Sequence, residues 1–273
     1  MAIEKYSGVS WSSVAKLSGV AKADIAKVSG QDTPVEGIST TNLVAHWDAS
    51  NTNSYPGTGT TVTDLVASVD LTMTNGASYS NSGGIDRFVL DGVNDDIGMS
   101  GTPSVLQFQF SDPFSIGAWV YPHFNDSAGF QVFVGNPQNG GNFQGVSLIN
   151  GAPGSRLTPR LWMRTNSFNQ LFGIMNGSLT QNSWQYLVAT YAGTKGVSSV
   201  KFYVNGSEVT GTTGTNTGSA TSIPHTQDFQ IGSRATTNGF YDGEVADVHY
   251  YDVELASSVV LSNYNATKSK FGL

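Results

Sequence analysis

The sequence predicts an all-β protein, an antiparallel β-sandwich with a short N-terminal arm and a short C-terminal helix. Three observations predict it. From Leu43 onward, short apolar runs alternate with clusters of Gly, Ser, Thr and Asn, the punctuation of many strands joined by turns. The 273 residues include 32 glycines, and only 12% are charged, which suits turns better than helices with ion-paired faces. Apolar and small or amphipathic residues alternate where a strand would need them to. Phe114, Ile116, Ala118 and Val120 share one face, and Ser115, Gly117, Trp119 and Tyr121 share the other. The chain is long enough to bury a core without staples.

Residues 1–38 read as an arm and linker, and 39–273 as the sandwich. The arm repeats with a period of 11: Lys5, Lys16 and Lys27 align, as do Ser7-Gly8, Ser18-Gly19 and Ser29-Gly30. Trp11, Val14 and Leu17 fall three apart, as do Ile25 and Val28, with Gly19 and Gly30 where a helix-ending glycine would sit. This spacing is read as two short helical turns, with short extended pieces as the alternative. Neither is stable alone, so Trp11, Val14, Leu17, Ile25 and Val28 are expected to anchor the arm on its own sandwich or on a neighbouring subunit. Residues 30–42 hold turn formers and read as the linker.

In the sandwich, Val200–Val204, then Asn205-Gly206, then Ser207–Val209 is a hairpin signal, because Asn-Gly supplies the positive-φ pair of a type I′ turn. Phe88–Leu90 followed by Asp91-Gly92 reads the same way. Phe229–Gly232 and Glu244–Tyr251 give two more strands. Asp252 is placed to cap a helix ending near Tyr264, with Val259, Val260 and Tyr264 as its apolar contacts.

Eight motifs then stand in order: LVAHWD; SYPGTGTTVTDL with TNGASY; GG-IDRFVLDGVNDDIGM; FSIGAWVYP; NSWQYLVATY; VKFYVNGSEV; FQIGSR; and FYDGEVADVHYYDVEL. Over residues 42–265 the chain resembles laminin-G-like domains of the concanavalin-A-like lectin/glucanase superfamily. The resemblance implies a jelly-roll sandwich of two curved sheets. The variant with SYPGTGTT and the VNDD turn resembles domains of phage and marine microbial proteins, and the arm resembles Ser-Gly-Val repeats of phage structural proteins. One departure stands out. Asp64-Leu65-Val66-Ala67-Ser68 replaces the D-L-S-G-N of many relatives, which weakens any ion or ligand role at that turn.

Several chemistries are set aside. There is no cysteine, hence no disulfide, thiolate metal site or Cys nucleophile. Glucanases of the superfamily carry E-x-D-x-E or E-x-D-x-x-E, which aims carboxylates into one cleft. The nearest stretch here is Asp242-Gly-Glu244-Val-Ala-Asp247, where Asp247 points away unless a bulge intervenes. None of His46, His123, His225 and His249 sits beside a G-x-S-x-G turn, and no His pair has helical zinc spacing. His46 and His249 are read as core-edge or surface residues. No catalytic residue is assigned. Calcium is the one candidate cofactor, held by Asp91, Asn94, Asp95 and Asp96 crowding one turn, with local turn hydrogen bonding as the competing reading. Asp48 and Asp242 are the next candidates. Candidate sugar contacts are the loop aromatics Tyr55, Phe130, Phe143, Phe168, Phe240 and Tyr241. Trp119, Trp162 and Trp184 lie in strand-like runs and are read as core.

The net charge of −7 falls entirely outside the neutral arm, so nucleic acid is not an expected partner. No stretch approaches a membrane span, and Met1–Lys5 open no signal peptide. The expectation is a non-enzymatic phage virion surface protein, a capsid decoration or tail-associated protein. Its arm would join other virion proteins, as a homo-oligomer or not, and its domain would display a glycan-binding surface. A free or cell-surface carbohydrate-binding module is the alternative, and a glycoside hydrolase the third.

Overall fold

The computed structural model describes residues 37–123, 130–136, 144–151, 157–165, 169–217, 222–234 and 239–273, together with six two-residue strands between residues 5 and 32. In the arm these strands form three antiparallel pairs: β1 (Lys5–Tyr6) with β2 (Val9–Ser10), β3 (Lys16–Leu17) with β4 (Val20–Ala21), and β5 (Lys27–Val28) with β6 (Gln31–Asp32). The helical reading of the arm is therefore corrected. The repeated Ser-Gly pairs themselves lie outside the described residues. Leu17 and Val28 are strand residues, while Trp11, Val14 and Ile25 lie outside the described residues.

The sandwich runs β7 (Leu43–Asp48), β8 (Thr61–Val62), β9 (Leu71–Thr74), β10 (Ser78–Ser80), β11 (Arg87–Asp91), β12 (Asp96–Met99), β13 (Phe114–Pro122), β14 (Gln131–Gly135) and β15 (Gly145–Asn150). It continues through β16 (Arg160–Arg164), β17 (Gln170–Ile174), β18 (Gln185–Tyr191), β19 (Val200–Val204), β20 (Ser207–Val209), β21 (Thr213–Thr217), β22 (Phe229–Ile231) and β23 (Asp242–Tyr251), then helix α1 (Ser257–Thr267). One sheet has the order β10-β11-β23-β13-β18-β19-β20, with β7 also paired to β23; the other has the order β21-β17-β16-β15-β14-β22-β12-β9-β8. Every pair within them is antiparallel, so the predicted all-β sandwich is the fold.

The main core lies between the sheets. Trp47 stacks on Phe229 at 5.4 Å and its indole N–H donates to the Val69 carbonyl at 2.9 Å. Phe114, Ile116, Ala118 and Val120 face this core as their alternation predicts. Trp119 and Tyr121 face a second cluster on the far side of the same sheet, where Trp184, Tyr186, Tyr251, Val260 and Phe271 pack under α1. Ile38 is buried in that cluster, and the Ser39 amide donates to Asn263 Oδ1 at 2.9 Å, so the chain docks on the helix before the first sandwich strand. The helix itself begins after Ala256 rather than at a cap on Asp252, and Val259, Val260 and Tyr264 make the contacts expected of them.

Two turn predictions part ways. Asn205 and Gly206 have φ of 52° and 79°, and β19 pairs with β20 across them, as a type I′ hairpin requires. The Asp91-Gly92 turn makes no hairpin. β11 pairs with β10 and β23 in one sheet, whereas β12 pairs with β22 and β9 in the other. A turn signal names a reversal or a crossover equally well, and here the chain changes sheets.

A Cβ at Gly206 would stand 2.9 Å from Leu261 Cδ1 and 3.2 Å from Leu261 Cα. Gly206→Ala therefore meets both a left-handed backbone and the helix. It should cost about 1–3 kcal/mol, read as a lower urea midpoint with an unchanged slope.

Candidate functional site

Tyr55 and Tyr241 do not offer a face to a sugar. Tyr55 is buried between Tyr79 (5.1 Å) and Phe88 (5.5 Å) and donates to the Gly59 carbonyl at 2.7 Å. Tyr241 is fully buried against Phe133 at 4.9 Å. Both are core residues, correcting their reading as loop contacts. Phe240 is half-buried, and Phe143 and Phe168 lie outside the described residues.

Phe130 lies elsewhere. It is half-buried beside Trp162, ring centroids 4.5 Å apart in an edge-to-face arrangement, with Val132, Ile149 and Phe172 completing a small cluster separate from the main core. The register explains the group. Along β16 (Arg160-Leu-Trp-Met-Arg164), Leu161 and Met163 enter the core, so Arg160, Trp162 and Arg164 face outward. Trp162 pairs with Ser147 on one side and Phe172 on the other, Arg160 with Ile149 and Ile174, and Arg164 with Gly145 and Gln170. Trp162 is thus buried, as its reading as core expects, but in a small cluster on the outer face of the nine-stranded sheet and not between the sheets.

Two guanidinium groups border these rings. Arg160 lies 5.6 Å from the Phe130 ring and Arg164 4.7 Å from the Trp162 ring. Arg234 lies close enough to Arg164 that its charge adds to burial in pushing Arg164 down; burial alone pushes Arg160 and Arg234 down. Trp162 is 8% exposed, and its indole N–H has no hydrogen-bond partner among the described residues; neither has the Arg160 Nε–H. A buried donor without an acceptor is uncommon and calls for a reason.

The acidic turn is built differently from a calcium cage. Asp91 Oδ1 accepts from the amides of Val93 (2.8 Å) and Asn94 (3.4 Å), and Asp95 Oδ2 from the Asp91 amide at 3.0 Å. Asp96 Oδ1 takes the Thr74 hydroxyl, and Oδ2 takes Gln230 Nε2 at 3.1 Å. Only Asp95 Oδ1 is buried without a partner, and burial pushes the Asp95 carboxyl up. Among the described residues Asp91, Asp95 and Asp96 do not form a group whose carboxylate oxygens converge. Asp64, at the turn that departs from the family pattern, is likewise saturated, by the amides of His46, Val66, Ala67 and Val69.

Among the described residues one set of three such side chains does converge: His46, Asp247 and His249, whose ligand atoms lie within 4.8 Å of one another. A register shift in β23 opposite Ala118–Val120 is the bulge that turns Asp247 to the helix side along with His249. His46 Nε2 and His249 Nδ1 both donate to Asp247 Oδ1, at 3.1 and 2.9 Å. That puts the proton of a neutral His249 on Nδ1, so its Nε2 accepts from the Tyr186 hydroxyl at 2.8 Å. His249 and Asp247 are buried, not at the surface, at 0% and 2% exposure. Burial by itself would raise Asp247, but the His46 charge and both imidazole hydrogen bonds outweigh it and hold the carboxyl well below its usual range. Burial likewise would lower His46, but Asp247 and Asp48 carry it upward; in His249 burial wins and the imidazole is pushed down. Asp242 and Glu244 on this strand are engaged by His123 at 3.3 Å and by Arg87 at 2.7 Å. The cluster is a closed strut in which the acceptor and the donors answer one another.

A sequence model of the concanavalin A-like lectin/glucanases superfamily matches residues 94–260. The chain belongs to that superfamily. No curated protein matches this superfamily member in sequence. Among solved structures it is similar to Trypanosoma rangeli sialidase in complex with sialic acid, with 17% identity over 91% of this chain and 36% of that one and a TM-score of 0.60. It is similar to the botulinum neurotoxin serotype G binding domain, with 15% identity over 82% of this chain and 50% of that one and a TM-score of 0.56. The binding domain of paraclostridial mosquitocidal protein 1 gives 14%, 83%, 52% and 0.58 in the same order. The chain spans between a third and a half of these solved chains, and at such identities the likeness is one of fold.

The strut gives a pH dependence whose sign follows from its members. Asp247, held low, stabilises the fold above the unfolded carboxylate value and loses that contribution as pH falls through it. His249, held neutral, costs stability below about pH 6.5, where the unfolded imidazole takes up a proton. His46 acts oppositely, its contribution being lost as pH rises through its elevated value. Stability by urea denaturation should therefore decline on both sides of neutrality. Asp247→Asn should cost about 3 kcal/mol at pH 7 and flatten the alkaline limb.

Proposed function

We propose that this chain is a non-enzymatic glycan-binding display module of a phage virion, a capsid decoration or tail-associated protein, with the outer face of β14–β17 as its binding surface and the arm as its attachment. The observation that carries the binding half is the Trp162–Phe130–Phe172 group. It sits on an outward sheet face with unmet N–H donors, and sugars are bound by rings against their C–H faces and by hydrogen bonds at their edges. The fold relation agrees with it: two of the similar solved structures are binding domains, and the sialidase is seen with sialic acid. What supports attachment is the arm's three repeats of one hairpin unit, too small to be stable alone, ahead of a sandwich that already has both its cores. What supports a virion is the resemblance of the arm and of the domain variant to phage proteins.

Two variants separate the halves. Trp162→Ala should lose glycan binding by at least about tenfold on an oligosaccharide array, as an aromatic platform does when truncated; the ring is buried, so the variant also loses about 3–5 kcal/mol of stability, and circular dichroism checks that it is folded at the assay temperature. Deleting residues 1–36 should leave array binding and melting temperature unchanged and abolish co-sedimentation with purified virions. Retained glycan binding by Trp162→Ala would remove the surface from the proposal, and retained particle binding by the truncated chain would remove the arm.

A further inference from the structure

The same face gathers cations in strands that hold no acid. The chain has 20 acidic residues against 13 basic, yet no aspartate or glutamate occurs between residues 127 and 207. That acid-free stretch supplies β14, β15, β16 and β17, four adjacent strands of the nine-stranded sheet, before it crosses to β18 and β19 of the other sheet. Two of the five arginines, Arg160 and Arg164, border the aromatic group on their outer face, and the charge of Arg234 reaches Arg164. Asp96, farther along the sheet, already takes Thr74 and Gln230. The unmet groups at the site, the Trp162 indole N–H and the Arg160 Nε–H, are both donors.

From this, and resting on the glycan-binding reading above, we infer that the ligand is an anionic saccharide, one whose carboxylate or sulfate lies between Arg160 and Arg164 while a sugar ring lies against Trp162. Arg160 and Arg164 flank Trp162 at i−2 and i+2 of one strand, so their head groups and the indole share one face. A guanidinium offers paired N–H donors in the plane that a carboxylate or sulfate oxygen pair accepts, and such charge-assisted bonds are about twice as strong as neutral ones. A neutral glycan would offer the unmet Arg160 Nε–H a hydroxyl group only, a weaker acceptor for a cation than a carboxylate or sulfate. The net charge of −7 disfavours polyanions at long range, so their binding would fall to a local cluster of cations such as this one.

The test is an array printed with neutral, uronic- or nonulosonic-acid-terminated, and sulfated oligosaccharides. It is probed with the full chain and with Arg160→Gln, Arg164→Gln and, as a control on the far side of the sandwich, Lys268→Gln. Circular dichroism confirms that each variant is folded. The expected result is binding to anionic spots only, weakened by raising NaCl from 0.05 to about 0.5 M. Each arginine variant should lose about tenfold or more, and Lys268→Gln should bind like the parent. The carboxylated and sulfated arms decide which anion is bound. Binding to neutral spots with no loss in the arginine variants would overturn the anionic inference and leave the glycan-binding reading intact. Binding to no spot at all would overturn both.

Discussion

β23 is buried on both faces and hydrogen-bonded on both edges, and the rest of the eight-stranded sheet is arranged around that fact. It pairs with β13 along one edge and with β11 and β7 along the other, while Val245, Val248 and Tyr250 enter the main core and Ala246 and Tyr251 enter the cluster under α1. A strand so placed has no solvent to hydrate a polar side chain. Its bulge opposite Ala118–Val120 sends Asp247 and His249 to the same side, where His46 on the neighbouring strand and Tyr186 meet them. Without the extra residue, one part of β23 would be one step out of register and would aim a carboxylate at the core. Bulge and strut are thus one device: the first sets the side, the second satisfies what arrives there.

Much of the fold was legible because a strand declares its own periodicity. The faces of β13 follow from alternation alone, and Asn205-Gly206 from the φ values only such residues take easily. What a strand does not declare is its sheet. Asp91-Gly92 looked like Asn205-Gly206, yet it leads into β12 on the other side of the sandwich, because partner choice depends on contacts far away in sequence. The bulge was equally hidden, since Gly243-Glu-Val-Ala-Asp247 looks like any alternating run until Trp119 is set opposite it. In the arm, apolar residues three apart suited a helix as well as strands spaced by turns, and the repeated Ser-Gly between them was the better guide.

The site was partly legible. Trp162 reads as core because it lies in a strand, and it is buried, though in the cluster on the outer face of the sheet. Yet Arg160 and Arg164 share its parity, and arginines at i−2 and i+2 assign that parity to the outer face, with Leu161 and Met163 on the inner one. Parity, not membership of a strand, decides which side a ring takes. The acid-free run from 127 to 207 was a second signal. It disappears in a whole-chain net charge and becomes informative only when its first part, residues 131–174, is seen to form β14–β17, four adjacent strands of one sheet.

The two outer faces of the sandwich have different fates, and the C-terminal segment decides which is which. On the eight-stranded sheet, α1 and the turn after it cover Trp119, Trp184 and Tyr186, with Phe271 stacked on Trp119 at 4.0 Å. The aromatic rings there face protein, and the polar groups among them form a closed set: Tyr186, His249, Asp247, His46, with Lys270 on Asp48 at 3.0 Å beside them. On the nine-stranded sheet Trp162, Phe130 and Phe172 belong to a small cluster of their own, and the Trp162 indole N–H and the Arg160 Nε–H stay without a partner among the described residues. The polar groups under α1 are thus largely answered by their own chain, whereas the outer face of β14–β17 keeps rings, cations and two unmet donors together, which is what the proposed anionic saccharide would use.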